Sequence, residues 1–305
     1  DRVILDGFAV ENPKGDGVKS KGSDQITFSN LRVEWMNGPD EKNGAYGVYP
    51  VSSRNVLIDR VTVRGASDAG IYVGQSQDIV VRNSLAEYNV AGIEIENSFR
   101  ADVYGNIARH NTGGILIFDL PNLPQQGGHD IRVFDNDAVD NDTPNFAPKG
   151  NTVARVPKGI GIMVMANPNV HVFNNRLSGN GTTHVLICAY PEDYDDANYM
   201  FVPRGVYVHD NEYGEGGGEP DGEVGATIAK YSGTPVPHIV WDGVTRIPEW
   251  LTWVRAEDRV YVAEQAGTSF VNLKMISQLV LPWKTTPAFD INSVRGSPPQ
   301  PPPGR

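Results

Sequence analysis

The sequence predicts an all-β chain: a right-handed parallel β-helix, a solenoid of 22–23-residue coils with an irregular C-terminal cap. Three observations carry that expectation. A glycine followed by alternating apolar residues opens one strand per unit, and Gly47, Gly70, Gly92 and Gly114 stand 23, 22 and 22 residues apart. Each unit holds a second strand ending in Asn or Asp, as in Ile26–Asn30, Val56–Asp59 and Ile79–Asn83. No apolar repeat of helical period appears before residue 220. Strands and turns recurring at a fixed period above about 20 residues are the signature of a stacked solenoid, whose units bury their apolar faces against one another. The right hand follows from the crossover preference of parallel strands.

Asp1–Asp6 already reads as a mid-coil strand with no capping element before it, so further N-terminal coils are expected upstream. The glycine-led series starts at Gly17–Lys21 and runs through Gly47–Val51, Gly70–Gly74, Gly92–Glu96, Gly114–Phe118 and Gly161–Met165 to His184–Cys188. The 47-residue step from Gly114 to Gly161 is one coil with long insertions. A third strand follows in several units, at Leu31–Val33, Val61–Val63, Leu85–Ala86 and Ile107–Ala108. Asn30, Asn83, Asn106, Asn136 and Asn175 recur at one bend, where a stacked amide can satisfy the backbone of the next coil. Regular repeats fade after Asn211. The β-helix is therefore assigned to residues 1–213, a cap containing Trp241, Trp250, Trp253 and Trp283 to 214–291, and a Pro-rich flexible tail to 292–305.

Composition narrows the function. With 39% hydrophobic residues the chain can build a substantial core, and a net charge of −11 argues against nucleic acid as a general partner. No apolar run is long enough for a membrane-spanning helix. The single Cys188 excludes an internal disulfide and a cysteine zinc cluster. A GxSxG elbow, a P-loop, a dinucleotide fingerprint and a CxxC pair are all missing, so serine-hydrolase, nucleotide-dependent and redox-cysteine classes have no support.

Alternation along a strand assigns faces. Val48, Ile71, Ile93, Ile115, Ile162 and Val185 point inward. The outward residues then form two columns: Lys19, Tyr49, Tyr72, Glu94, Leu116, Met163, Leu186 and Lys21, Val51, Gly74, Glu96, Phe118, Met165, Cys188. The apolar half is expected to be covered by Leu120–Gln126, by Thr143–Pro157 and by the Trp-bearing C-terminal segment, the alternative being an apolar ligand groove. The polar half is the candidate site. Tyr49, Tyr72, Glu94 and Glu96 are the candidate catalytic residues, because phenols beside paired carboxylates are suited to moving protons at a sugar ring. Lys19, Lys21, Asp68 and Gln75 are candidate substrate contacts. Glu94, Glu96, Asn97 and Asp119 offer hard oxygen ligands that suit Ca²⁺.

Five stretches share one frame: Asn43-Gly-Ala-Tyr-Gly-Val-Tyr-Pro50, Gly65-Ala-Ser-Asp-Ala-Gly-Ile-Tyr-Val-Gly74, Ala91-Gly-Ile-Glu-Ile-Glu-Asn-Ser98, Asn111-Thr-Gly-Gly-Ile-Leu-Ile-Phe-Asp-Leu-Pro121 and Gly161-Ile-Met-Val-Met-Ala166. In them the chain resembles the bacterial parallel β-helix repeat proteins, over roughly residues 1–245. More remotely its fold is similar to that of pectate and alginate lyases and mannuronan epimerases. The resemblance implies an exported, periplasmic or secreted, carbohydrate-active protein working on an acidic polysaccharide by lyase, epimerase or hydrolase chemistry, with Ca²⁺ as a candidate cofactor. The alternative is a non-catalytic solenoid that binds a glycan or docks a partner protein.

Overall fold

The structure is a computed structural model that describes residues 2–245 and 259–275. Its strands form three parallel sheets, and each coil contributes one strand to each in turn. Among the described residues the first sheet has nine strands, from Val3–Asp6 to Val260–Ala263, and the second eight, from Ala9–Glu11 to Glu212–Tyr213. The third also has nine, from Val18–Lys21 to Phe270–Asn272, and it holds the glycine-led strands. Pairing runs in register from coil to coil. Ile71 pairs with Ile93, Ile93 with Ile115, Ile115 with Ile162 and Ile162 with Val185, and all five lie in the fully buried core. The outward columns are aligned as the alternation predicts, with Tyr72, Glu94, Leu116, Met163 and Leu186 on consecutive rungs. Among the described residues no helix is long and apolar enough to cross a membrane.

The three corners of a coil differ. Between the first and second sheets the connection is two residues in every coil. Its first residue is left-handed throughout: Gly7, Asn30, Arg60, Asn83, Gly105, Asp135, Asn174 and Asp210 all have φ between 51 and 75°. Its second residue points inward from the second coil onward, as Leu31, Val61, Ser84, Asn106, Asn136, Asn175 and Asn211. The asparagines expected at one bend thus occupy two neighbouring positions. Asn30 and Asn83 sit at the exposed left-handed one, which Asn tolerates better than most residues, while Asn106, Asn136 and Asn175 form the buried ladder.

In that ladder the Asn136 Oδ1 accepts both the backbone N–H and the side-chain amide of Asn106 at 3.0 Å. Asn175 and Asn211 repeat the pattern one and two coils on, and the Glu264 carboxylate ends it by accepting from the Asn211 amide at 2.7 Å. A second ladder, which the sequence reading missed, stands at the corner before the third sheet: Asn89, Asn111, Asn141 and Asn180. It explains the glycine frame. A Cβ on Gly92 would lie 2.8 Å from the Asn111 amide nitrogen and 2.6 Å from the Gly114 carbonyl, and Gly114 faces the same crowding from Asn141 and Gly161.

Complete three-strand coils end at Tyr213, where the second sheet ends, but Ile239–Trp241 and Phe270–Asn272 extend the third sheet, Val260–Ala263 extends the first, and Trp241 is buried in the central core. Long connections, Gly214–His238 among them, separate these strands and hide the period. Within that stretch Gly222–Ser232 forms helix α1, whose Ile228 packs over the third sheet. Trp250, Trp253, Trp283 and the 292–305 tail lie outside the described residues.

The ladders make a stability prediction. Asn136→Ala strips partners from the buried Asn106 N–H and Val103 carbonyl, and at ~1–3 kcal/mol per unsatisfied group should cost about 2–6 kcal/mol by urea unfolding. Asn83→Gly, at the exposed left-handed position, should stay within about 0.5 kcal/mol of the parent.

Candidate active site

Tyr72, Glu94 and Glu96 stand on adjacent rungs of the third sheet's outer face, and Asp68 and Gln75 flank the Tyr72 strand. The sequence reading makes this an open surface. It is instead covered: Tyr72 is 4% exposed, Glu94 2%, Asp68 6% and Glu96 8%. The cover comes from the segments expected to hide the apolar half, with Val153 and Val156 from one insertion and Leu120 from the other. Residues 189–202 pack in the same apolar layer through Tyr199, whose hydroxyl donates to the Asp119 carbonyl, and Ile228 of α1 joins it over Met163 and Leu186. The 189–202 segment contains Pro191–Asp196, which by sequence resembles no more than a solvated acidic turn.

Three of the candidate residues meet. The Tyr72 hydroxyl donates to Glu96 Oε1 at 2.5 Å, and the Gln75 amide donates to the same oxygen at 3.0 Å and to the Tyr72 hydroxyl at 3.3 Å. Gln75 is half-buried and also lines a polar cleft of ≈ 390 Å³ whose walls include Ser52, Arg54, Gln77 and Gln125. Gln75 therefore links that cleft to Tyr72 and Glu96, which are buried behind it and do not line it.

Behind it lies a ring cluster. Tyr46, Tyr49 and Tyr72 have centroids 4.5–4.9 Å apart, with Tyr49 and Tyr72 edge to face. Tyr46 precedes its strand's glycine and fell outside the outward columns; its hydroxyl reaches Asp68 Oδ2 at 3.5 Å. The Asn151 amide donates to the same Asp68 oxygen at 3.0 Å from an insertion 83 residues away, a contact that no repeat spacing could reveal. Glu94 Oε2 is buried with no hydrogen-bond partner.

Lys19 and Lys21 do not join this cluster. They lie three rungs from Glu94 and Glu96, about 14 Å at the usual strand spacing. Lys19 pairs with Asp16 at 3.3 Å and stands 4.3 Å from the Tyr49 ring centroid. Two of the four proposed Ca²⁺ ligands, Asn97 and Asp119, are engaged by the protein's own backbone. Asn97 donates its amide to the Leu120 and Gln125 carbonyls and accepts from the Leu120 N–H, holding the 120–125 loop. Asp119 accepts from the Gly128 N–H at 2.9 Å. Among the described residues no three His, Cys, Asp or Glu side chains group as a metal site.

Crowded carboxyls under a cover resist ionisation. Burial, and then the neighbouring Glu96, push Asp68 up to about 7. Burial likewise carries Glu96 to about 7 against the hydrogen bonds from Tyr72 and Gln75. Glu94 is pushed well above the usual carboxylate range by burial and by Asp68 and Glu96. Asp119 rises to about 6, again mainly through burial. Burial and the nearby carboxylates also raise the Tyr72 phenol, so at neutral pH Tyr72 is a proton donor and not a base.

These raised values have a sign. The folded chain holds protons that the unfolded chain releases, so the cluster favours folding below about pH 4 and loses that contribution as pH rises through about 7. His171 and His184, lowered to about 4 by burial, act in the opposite direction below pH 6.5. The informative quantity is therefore the difference between parent and Glu96→Gln in urea unfolding. It should shift in favour of the variant by on the order of 1–3 kcal/mol between about pH 5 and about pH 8.

Residues 1–123 match the family model described as the right handed beta helix region. Among proteins of curated function, none matches the chain. Two similar solved structures are A-modules of Azotobacter vinelandii mannuronan C-5 epimerases. That of AlgE4 is 14% identical with a TM-score of 0.36, covering 84% of this chain and 75% of that one. That of AlgE6 is 14% identical with a TM-score of 0.36, covering 86% and 76%. Pectate lyase Pel9A is 13% identical with a TM-score of 0.35, covering 88% of this chain and 68% of its own. With its first 123 residues in that region, three-sheet coils running on to Tyr213, and later strands added to the first and third sheets, the chain is a right-handed parallel β-helix.

Proposed function

We propose that this β-helix is an exported carbohydrate-active protein that performs proton-transfer chemistry on a polysaccharide strand lying in the polar cleft. The observation that carries the reading is the Tyr72–Glu96–Gln75 triangle, whose Gln75 lines that cleft. A carboxyl titrating near 7 is matched to accepting or giving a proton at neutral pH. The cleft's hydroxyl, amide and guanidinium groups suit the hydroxyls and carboxylates of a glycan. In an elimination, the Glu96 carboxylate takes the proton α to a uronate carboxyl. The C–O bond to the leaving sugar then breaks, and Tyr72 gives its proton to the departing oxygen. In a hydrolysis, protonated Glu96 serves as the acid at the glycosidic oxygen. The chain's −11 charge opposes a polyanion, but a carboxyl cluster that is only partly ionised at neutral pH weakens that repulsion locally.

The cover over Tyr72 and Glu94 favours a second reading, a glycan-binding solenoid without turnover. A panel of polyuronates and neutral glycans separates the two, read by the ultraviolet absorbance of unsaturated products, by reducing ends and by proton NMR, with and without Ca²⁺. The catalytic reading predicts turnover that falls at least ~100-fold in Tyr72→Phe or Glu96→Gln. Retention on a glycan matrix without turnover would assign the binding module. Neither turnover nor retention would overturn both.

A further inference from the structure

A second cleft, of ≈ 720 Å³, opens over the apolar half of the third sheet. Its floor is the stretch of outward columns formed by Met163, Met165, Leu186 and Cys188. Val156 from the long insertion stands on one side and Ile228 of α1 on the other, so the cover leaves a defined gap above these rungs. A volume in the range of about 300–1,000 Å³ with an apolar floor and few polar groups is that of a small-molecule site. Methionine floors are soft and polarisable, adapting to flat or irregular apolar bodies.

The rim sets the sign of the ligand. Its one guanidinium, Arg155, is paired with Glu192 at 2.7 Å. Asp221 and Glu223 remain, with Asp242 only partly ionised because burial pushes it up to about 7, and the α1 N-terminus offsets them by only about half a positive charge. Tyr190 adds an aromatic ring to the same rim, and such a ring attracts a cationic head group. We infer that this cleft binds a small amphiphilic cation, with its apolar body on Met163, Met165 and Leu186 and its ammonium at the acidic rim. The site is separate from the Glu96 triangle, and its occupancy does not depend on whether the chain turns over a glycan.

Two probes with the same body and opposite heads test this: 4-phenylbutylamine and 4-phenylbutyrate, titrated calorimetrically into the full chain. The amine should bind one to one with a Kd of roughly 10–1,000 μM, as its size allows, and the carboxylate at least about tenfold more weakly. Leu186→Arg should abolish amine binding. Because that change also risks the fold, Glu223→Gln, on the exposed first turn of α1, provides the second variant. It should weaken the amine by about two- to fivefold and leave the thermal midpoint unchanged. Equal affinity for both heads, binding of neither, or amine binding unchanged in both variants would overturn the inference. So would dimerisation that the amine reverses, which assigns the cleft to a second copy, or binding seen only after truncation at Met275, which assigns it to the chain's own following residues.

Discussion

Each corner of the solenoid puts backbone N–H and C=O groups into an interior where water cannot reach them, and the fold holds only if those groups find partners there. Buried asparagine meets that demand at two of the three corners. One amide accepts from the coil before it, donates to the coil after it and still reaches a main-chain carbonyl, as Asn136 does with Asn106, Asn175 and Val103. Much else follows from this. The ladder amides of Asn111 and Asn141 stand where the Cβ atoms of residues 92 and 114 would be, and those positions are glycine. With the corners locked in register, each strand lies directly over its neighbour, and side chains become columns.

Columns are also what makes the acidic cluster. Parallel register fixes Glu94 one rung from Tyr72 and Glu96 beside it on the same face. On an open surface such an array is hydrated and ionised. Beneath Val153, Val156 and the Asn151 contact it loses water, and Asp68, Glu94 and Glu96 rise together because none can ionise without opposing the others. The same register a few rungs on sets Met163, Met165 and Leu186 side by side. One geometric rule thus yields a proton-holding cluster at one end of the sheet and an apolar floor at the other.

The sequence carried the coil frame, the inward residues and both outward columns, because period-2 alternation multiplied by a 22–23-residue step leaves little freedom. It did not carry burial. Whether Tyr72 meets water depends on insertions that have no period, and Asn151 and Tyr199 reach Asp68 and the Asp119 carbonyl across 83 and 80 residues. The Tyr72–Glu96–Gln75 triangle was legible as a set of neighbours, whereas Tyr46 was hidden by standing before its glycine. Asn30 and Asn83 misled for a local reason: a left-handed residue and a buried ladder residue sit one position apart, and asparagine serves both. The late strand Ile239–Trp241 was hidden by the helix-bearing connection before it.

The two-residue corner between the first and second sheets never varies in length, while the other two corners carry every long connection of the described chain. Both of those corners border the third sheet, so the loops gather around one face and leave the opposite edge bare. That edge is a natural seam. Cut there, any coil begins and ends in the same left-handed conformation one strand spacing apart, so a whole turn can be duplicated or excised without altering the meeting of its neighbours. New loops grafted at the remaining corners would land over the third sheet, where both clefts lie. Lengthening of this protein and diversification of its surface are thereby assigned to different edges of one prism.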